Sequence, residues 1–202
     1  MKTPKKMAIS KMDAVKAQLE TAIKLYFEDR DLISAYTLCA AADQILEDIW
    51  KHERDSILSR RIQRGQNVSH LMFSMCDEWK IRLEDEHRRK AFDAINATRN
   101  FLKHADKDHN LTHHYYPTEE TGLRLFTACR NFRLVSEHKN MAVDTFLGWF
   151  LTINPHFLAQ DNPLKHVIPE NFTSELEHSE LAVAGYQMLQ KSCPELFPPH
   201  RY

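Results

Sequence analysis

The sequence predicts an all-α protein, an antiparallel helical bundle with additional C-terminal helices. Only four of the 202 residues are glycine, which argues against a turn-rich β fold and favours long helices. Apolar residues make up 43% of the chain, enough for a sizeable core, and they recur at helical steps in several segments. We therefore expect a single all-α domain over residues 1–202.

The first two predicted helices form an antiparallel hairpin. Ser10 followed by Asp13 is typical of a helix N-terminal cap, and helical spacing of apolar residues then continues to about Phe27. After a short polar joint, a long apolar seam begins at Leu32, and so short a joint favours an antiparallel return. The seam follows steps of three and four: Leu32, Ala35, Cys39, Ala42, Leu46 and Ile49.

The highly charged stretch from Lys51 to Gly65 is expected to end the second helix or to add a short one. It contains a small basic cluster of Arg60, Arg61 and Arg64, and Gly65 opens a predicted break. A further apolar helical face and a charged stretch then lead into a helix that ends near residue 104.

Three later segments are also predicted to be helical. Patterning resumes at Glu119, and the run from Met141 to Ile153 is apolar nearly all round, as expected for a buried helix. Ser174 and Glu177 match a capping box that opens a last helix through about Lys191.

Composition narrows the classes of function. Lys and Arg number 27 and Asp and Glu number 28, so any contact with nucleic acid must come from a local basic patch rather than from net charge. The four cysteines are far apart and are expected to be reduced core residues of a cytoplasmic protein. The N-terminus has no apolar signal region and no apolar run is long enough to span a bilayer, so no membrane association is expected.

The stretch from Arg99 to His104 is the strongest chemical signal in the chain. Within six residues it offers a permanent cation at Arg99, a carboxamide at Asn100 and a titratable imidazole at His104. Such groups can cleave RNA without a metal, because a cation stabilises the phosphorane, an amide orients it and an imidazole moves protons.

One helix alone does not direct these groups at one atom. Asn100 and His104 are four residues apart and share a polar ridge with Asn96. Arg99 and His104 are five residues apart, roughly 140° around an ideal helix. A long Arg side chain, a frayed helix end or, most simply, a second copy of the helix would bring them together.

A structural interpretation stays open beside this one. Arg99 occupies a position where the apolar seam of its helix calls for an apolar residue, and it can pair with a buried carboxylate such as Asp43, Glu47 or Asp144. His104 can simply complement the macrodipole at a helix C-terminus.

The R-N-x-x-x-H pattern, late in a helix of an all-α protein, resembles the signature of the HEPN superfamily. The alanine-rich helix over residues 33–46 is similar as well, and the resemblance covers about residues 12–108. It implies a HEPN-like core over residues 10–108, with residues 119–191 as a C-terminal helical extension packed on it. Many members are endoribonucleases of toxin–antitoxin, abortive-infection and other defence systems, whereas others are noncatalytic modules that bind a partner protein or a nucleotide.

The resemblance also implies roles for individual residues. Arg99 would stabilise the scissile phosphate, Asn100 would orient the phosphate or the imidazole, and His104 would act as general base or acid. Lys103 could add phosphate affinity, although it is not part of the family pattern. Family members form homodimers through the motif helix and so build a composite active site, which implies RNA as substrate, an antitoxin protein as a partner and no cofactor.

Two further groups of residues are candidates for binding RNA or a metal. Arg88, Arg89 and Lys90 lie upstream of the motif and could contact RNA, although a solvated helix start explains them equally well. A loop rich in acidic residues and histidine matches no tight metal motif and is expected to be solvated, so no metal site is predicted. That loop contains Asp106, Asp108, His109, His113 and His114.

Overall fold

The computed structural model describes residues 8–28, 30–66, 96–103, 110, 112–155 and 178–197. The α-helices with defined bounds are α1 (Lys11–Glu28), α2 (Leu32–Gln63), α3 (Pro117–Val135), α4 (Met141–Ile153) and α5 (His178–Ser192). Residues 96–103 are also helical and are called the motif helix below; a 3-10 helix, Pro194–Leu196, follows α5. These residues contain no strand and the helices pack on one another, which confirms the all-α bundle. None of the described helices is long and apolar enough to cross a membrane.

The predicted N-terminal hairpin is present, and both of its helices are capped. The Asp13 amide donates to Ser10 Oγ at 3.0 Å while the Ser10 amide donates to Asp13 Oδ2 at 3.1 Å, a reciprocal cap that satisfies otherwise unpaired amides. Asp31 caps α2 by accepting from the Ser34 amide at 2.9 Å. Small, fully buried side chains on α2 allow neighbouring helices to approach it closely: Ala35, Cys39 and Ala42.

The second helix ends within the charged stretch from Lys51 to Gly65, as one of the two predicted alternatives had it. Helix α2 continues without interruption to Gln63, and no separate short helix is added. Its charged residues lie on exposed faces, where Lys51 pairs with Glu47 one turn earlier at 3.1 Å. Ile57, 3% exposed, extends the apolar seam inward. The predicted break is confirmed at Gly65, whose φ of 73° ends the helix in the left-handed region.

Helices α2 and α3 lie side by side and run in the same direction, because early residues of one helix contact early residues of the other and late residues contact late residues. Thr121 near the start of α3 donates to the Leu32 carbonyl near the start of α2. Arg61, near the end of α2, donates to the Leu134 carbonyl near the end of α3 at 2.7 Å. The α2–α3 interface therefore extends from the contact of Thr121 with Leu32 at its start to the contact of Arg61 with Leu134 at its end.

An aromatic cluster joins α1, α4 and α5. Rings of Tyr26 and Phe27 on α1 pack edge-on against the indole of Trp149 on α4, with centroids 5.9 and 4.9 Å apart. The Trp149 indole N–H donates to the Leu181 carbonyl at 2.8 Å and so attaches α5. The prediction of a buried helix at α4 is confirmed; the capping box at residues 174–177 lies outside the described residues.

Three of the four cysteines are confirmed as core residues, and Cys76 lies outside the described residues. Cys39, Cys129 and Cys193 are buried and form no disulfide. Burial raises the pKa of the Cys39 and Cys129 thiols well above its ordinary value, because the charged thiolate loses its solvation. These thiols are therefore inert packing groups.

Candidate functional site

The motif helix is more deeply seated than its polar sequence suggests. Asn96 and Thr98 are buried, at 4% and 1% exposure. The predicted polar ridge is therefore buried at Asn96 and exposed at Asn100. Asn100 and Lys103 are exposed, and Arg99 is half-buried between these two environments.

Part of the predicted site lies outside the described residues. This applies to His104 and to the upstream cations Arg88, Arg89 and Lys90. The meeting of Arg99 with His104, and the basic surface beside the motif, therefore stay predictions.

Arg99 reaches α2, but its contact there is with a neutral group. Its Nη1 donates to Gln44 Oε1 at 3.3 Å. Its Nε is buried and has no hydrogen-bond partner within the described part of the chain. A buried donor without a partner costs about 1–3 kcal/mol, and such groups in native structures call for an explanation.

The carboxylates considered as structural partners of Arg99 all pair with other groups. Asp43 Oδ2 lies 3.2 Å from Arg124 Nη1, and Glu47 pairs with Lys51. Asp144 pairs with Arg133. None of the three neutralises the motif arginine in the described structure.

A buried ionic group beside this contact was missed by sequence reasoning. Arg124, 8% exposed, pairs with Asp43, whose other oxygen accepts from the Asn131 amide at 2.7 Å. Burial raises the pKa of Asp43, and the charge of Arg124 and the hydrogen bond from Asn131 partly oppose that rise. The sequence does indicate a buried polar group here, because Arg124 and Asn131 are two turns apart on a mainly apolar face of α3.

A second polar group anchors the chain after the motif. The buried Thr98 hydroxyl lies 2.6 Å from Glu120 Oε2 and 2.7 Å from His113 Nε2. Because the carboxylate can only accept, Thr98 donates to Glu120 and accepts from His113. The His113 ring also stacks on Phe101, with centroids 5.1 Å apart. The expectation of a fully solvated loop is thus wrong for His113, which is half-buried.

Together these contacts fix the motif helix on two sides. Gln44 on α2 holds the Arg99 guanidinium, and the group around Thr98 holds the helix against the start of α3. Asn100 and Lys103 point to solvent. The arrangement presents a held cation beside exposed polar groups, as the binding of an anionic ligand requires.

Comparisons with known proteins add no assignment for this site. No protein-family model, no curated protein and no solved structure matches the chain. Function is therefore argued from the side chains and their contacts.

Proposed function

We propose that this protein is a HEPN-type, metal-independent endoribonuclease that acts as a homodimer with a composite active site. The observation that carries the proposal is the electrostatic state of Arg99. Among the described residues, its partner is the neutral amide of Gln44, and the three carboxylates predicted as partners pair with other groups. No carboxylate in this part of the chain neutralises its positive charge, which supports a role in binding an anion.

The chemistry requires such a cation. When a ribose 2′-OH attacks the adjacent phosphate, negative charge builds up on the phosphorane oxygens, and a fixed guanidinium stabilises that charge. His104 removes the proton from the 2′-OH or supplies one to the leaving oxygen. Asn100, exposed on the same helix, orients the phosphate or the imidazole, and Lys103 adds affinity for the phosphate.

The homodimer follows from the angle between the two reactive groups. On an ideal helix, two residues five apart in sequence, as Arg99 and His104 are, diverge by roughly 140°. Two copies of the motif helix related by a two-fold axis place Arg99 of one subunit near His104 of the other. We further infer a cytoplasmic toxin or defence effector, held inactive by an antitoxin protein until needed.

The first test is cleavage of RNA in the presence of a chelator. We expect products with 2′,3′-cyclic phosphate ends, and we expect His104→Ala to abolish cleavage while leaving the circular dichroism spectrum unchanged. His52→Ala, at an exposed histidine on α2, is the matched control and should remain active. Cleavage that survives His104→Ala would contradict the mechanism.

The composite site has a sharper test. Arg99→Ala and His104→Ala proteins are each expected to be inactive, but mixed dimers contain one intact site. Random exchange of subunits should therefore restore about a quarter of the wild-type rate. If both residues act within one subunit, mixing restores nothing.

Two other outcomes decide between the broader alternatives. Expression of the wild-type protein should slow growth, and His104→Ala should relieve that effect. If the wild-type protein instead leaves every RNA intact while folded and dimeric, the noncatalytic alternative is favoured, a HEPN-like module that binds a partner protein or a nucleotide.

A further inference from the structure

A strongly basic cavity lies at the end of the α2–α3 interface, separate from the motif helix. Its volume is about 400 Å³, and it is formed by the last turns of α2, the end of α3 and the segment that follows α3. The cationic side chains in its lining are Arg60, Arg61, Arg64, Arg130, Arg133 and Lys139. Among the described lining residues, Glu137 is the one carboxylate.

Positive charge remains in excess after neighbouring carboxylates are included. Asp144 pairs with Arg133, and Glu53 lies 3.8 Å from Arg60, both from outside the lining. With Arg130 left aside, five cations of the lining then face three carboxylates in the part of the chain that the structure describes. In a chain with a formal net charge of −1, this is a local concentration of positive charge, the footprint expected of a site for a polyanion.

Glu137 shows how the cavity holds an anion. Arg60 Nε lies 3.1 Å from one oxygen of this carboxylate, and Arg64 Nη2 lies 3.0 Å from the other. Two guanidiniums one helical turn apart thus converge on separate oxygens of one anionic group. Phosphate oxygens are recognised in the same way, by forked guanidinium donors.

Arg61 shows that the cations repel one another. Its guanidinium donates to the backbone carbonyls of Arg133 and Leu134 rather than to a carboxylate. Burial, followed by the positive charges of Arg133 and Arg64, lowers the pKa of Arg61. A bound anion would relieve this repulsion.

We propose that this cavity binds the phosphodiester backbone of single-stranded RNA; as a site for the substrate strand, it rests on the proposed ribonuclease function. The cations come from the end of α2, the end of α3 and the segment that follows α3. They are open to solvent, since the side chains of Arg60, Arg64 and Arg133 are 41%, 53% and 51% exposed. A strand carries several phosphates and can engage cations from all three parts, and backbone contacts position a strand without reading its sequence.

The test measures binding by fluorescence anisotropy over a range of salt concentrations. The probe is a short, labelled 2′-O-methyl oligouridylate, which cannot be cut through its 2′ position. We expect Arg64→Gln with Lys139→Gln to weaken binding about tenfold and to reduce the salt slope by about 1.4, the loss of two backbone contacts. Lys16→Gln with Lys51→Gln changes the net charge equally at exposed sites elsewhere and should have little effect.

A gain of affinity provides the complementary test. Glu137→Gln removes the internal anion and frees Arg60 and Arg64, so it should tighten binding severalfold. Glu195→Gln makes the same change of net charge in the C-terminal 3-10 helix and is the control. Equal affinities for these two variants, or an unchanged salt slope in the double arginine–lysine variant, would overturn the proposal.

Two further arms separate this inference from the ribonuclease proposal. A dinucleotide carries a single phosphodiester and cannot occupy the motif and the cavity together, so the cavity variants should cut it at the wild-type rate while cutting long RNA more slowly. Absence of all cleavage would count against the ribonuclease alone, because the binding measurement does not depend on it. Binding of pyrophosphate with the same dependence on Glu137, but no binding of the oligonucleotide, would replace the strand by a small phosphorylated ligand.

Discussion

The middle and the end of the α2–α3 interface differ in how completely their positive charges are neutralised. In the middle, Arg124 is 8% exposed and is matched by Asp43, with Asn131 completing the carboxylate's hydrogen bonds. At the end, the half-exposed Arg60 and Arg64 share Glu137, and cations outnumber carboxylates among the described residues. One pair of helices therefore supports both a neutralised charge and a surplus of charge.

This difference separates charged groups that stabilise the fold from charged groups that can bind a ligand. A buried charge must be paired because its desolvation is expensive, so the group around Asp43 is explained by stability. A surplus of charge is tolerated where water screens it and is then open to a ligand. Arg99, which is half-buried and has no carboxylate partner among the described residues, lies between these cases.

The largest expected effect comes from breaking the balance in the middle. Arg124→Met leaves the Asp43 carboxylate buried without a cation and should lower the free energy of unfolding by about 3–5 kcal/mol. Urea denaturation measures this loss. Replacement of both partners, Asp43→Leu with Arg124→Met, should recover most of it, and a double variant as unstable as the single one would refute this account.

A smaller loss is expected at the neighbouring group around Thr98. Thr98→Val removes the buried hydroxyl between Glu120 and His113 and should cost about 1–3 kcal/mol. Thr98→Ser keeps the hydroxyl and is the matched control. Thermal unfolding of the two variants compares them directly, and equal stabilities would show that the hydroxyl contributes nothing.

The pKa values of two carboxylates sharpen the comparison, because they shift in opposite directions. Burial raises that of Asp43 from an ordinary value of 3.8, whereas the hydrogen bond and charge of Arg64 lower that of Glu137 from 4.5. As pH rises above 3.8 through the raised value, Asp43 reduces stability, since the folded state holds a proton that the unfolded state releases. As pH falls below 4.5 through the lowered value, the contribution of Glu137 is lost.

Carboxyl ¹³C chemical shifts followed through a pH titration test these directions. Asp43 should titrate above, and Glu137 below, the value of the same residue type in an unfolded peptide. In Arg64→Gln, the pKa of Glu137 should move back toward its ordinary value. A lowered pKa for Asp43 would show that Arg124 and Asn131 outweigh burial.

The smallest effect is expected from single changes at the end of the interface. Arg64→Gln removes one exposed partner of Glu137, and exposed ion pairs contribute little to stability. Urea denaturation should barely distinguish this variant from the wild type, in contrast to Arg124→Met. A large loss would mean that the basic cavity is a structural element rather than a binding surface.

What the sequence predicted well was local. The cap at Ser10, the seam of α2 and the buried helix α4 all follow from neighbouring residues and helical periodicity. The end of α2 could be placed only within the charged stretch from Lys51 to Gly65, because a single buried apolar residue, Ile57, continues the seam there.

The contacts of the site were harder to predict, because they join distant parts of the chain. The motif was found from its chemistry, but its contact with Gln44 depends on how the motif helix packs on α2. The pairing of Arg124 with Asp43 spans 81 residues, so helical spacing can place Arg124 and Asn131 on one face but cannot identify their partner. The basic cavity combines a cluster visible in the sequence, Arg60 to Arg64, with residues of α3 that became neighbours only on folding.

The side chain of Arg61 has a consequence for local opening of the structure. It donates hydrogen bonds from α2 to the carbonyls of Arg133 and Leu134 in the last turn of α3. The last turn of α3 therefore cannot unfold unless these hydrogen bonds to α2 break. The Ser136 amide, which donates to the Phe132 carbonyl at 2.7 Å, should therefore exchange its hydrogen slowly for a helix end. The ends of the two helices should open together as one cooperative unit.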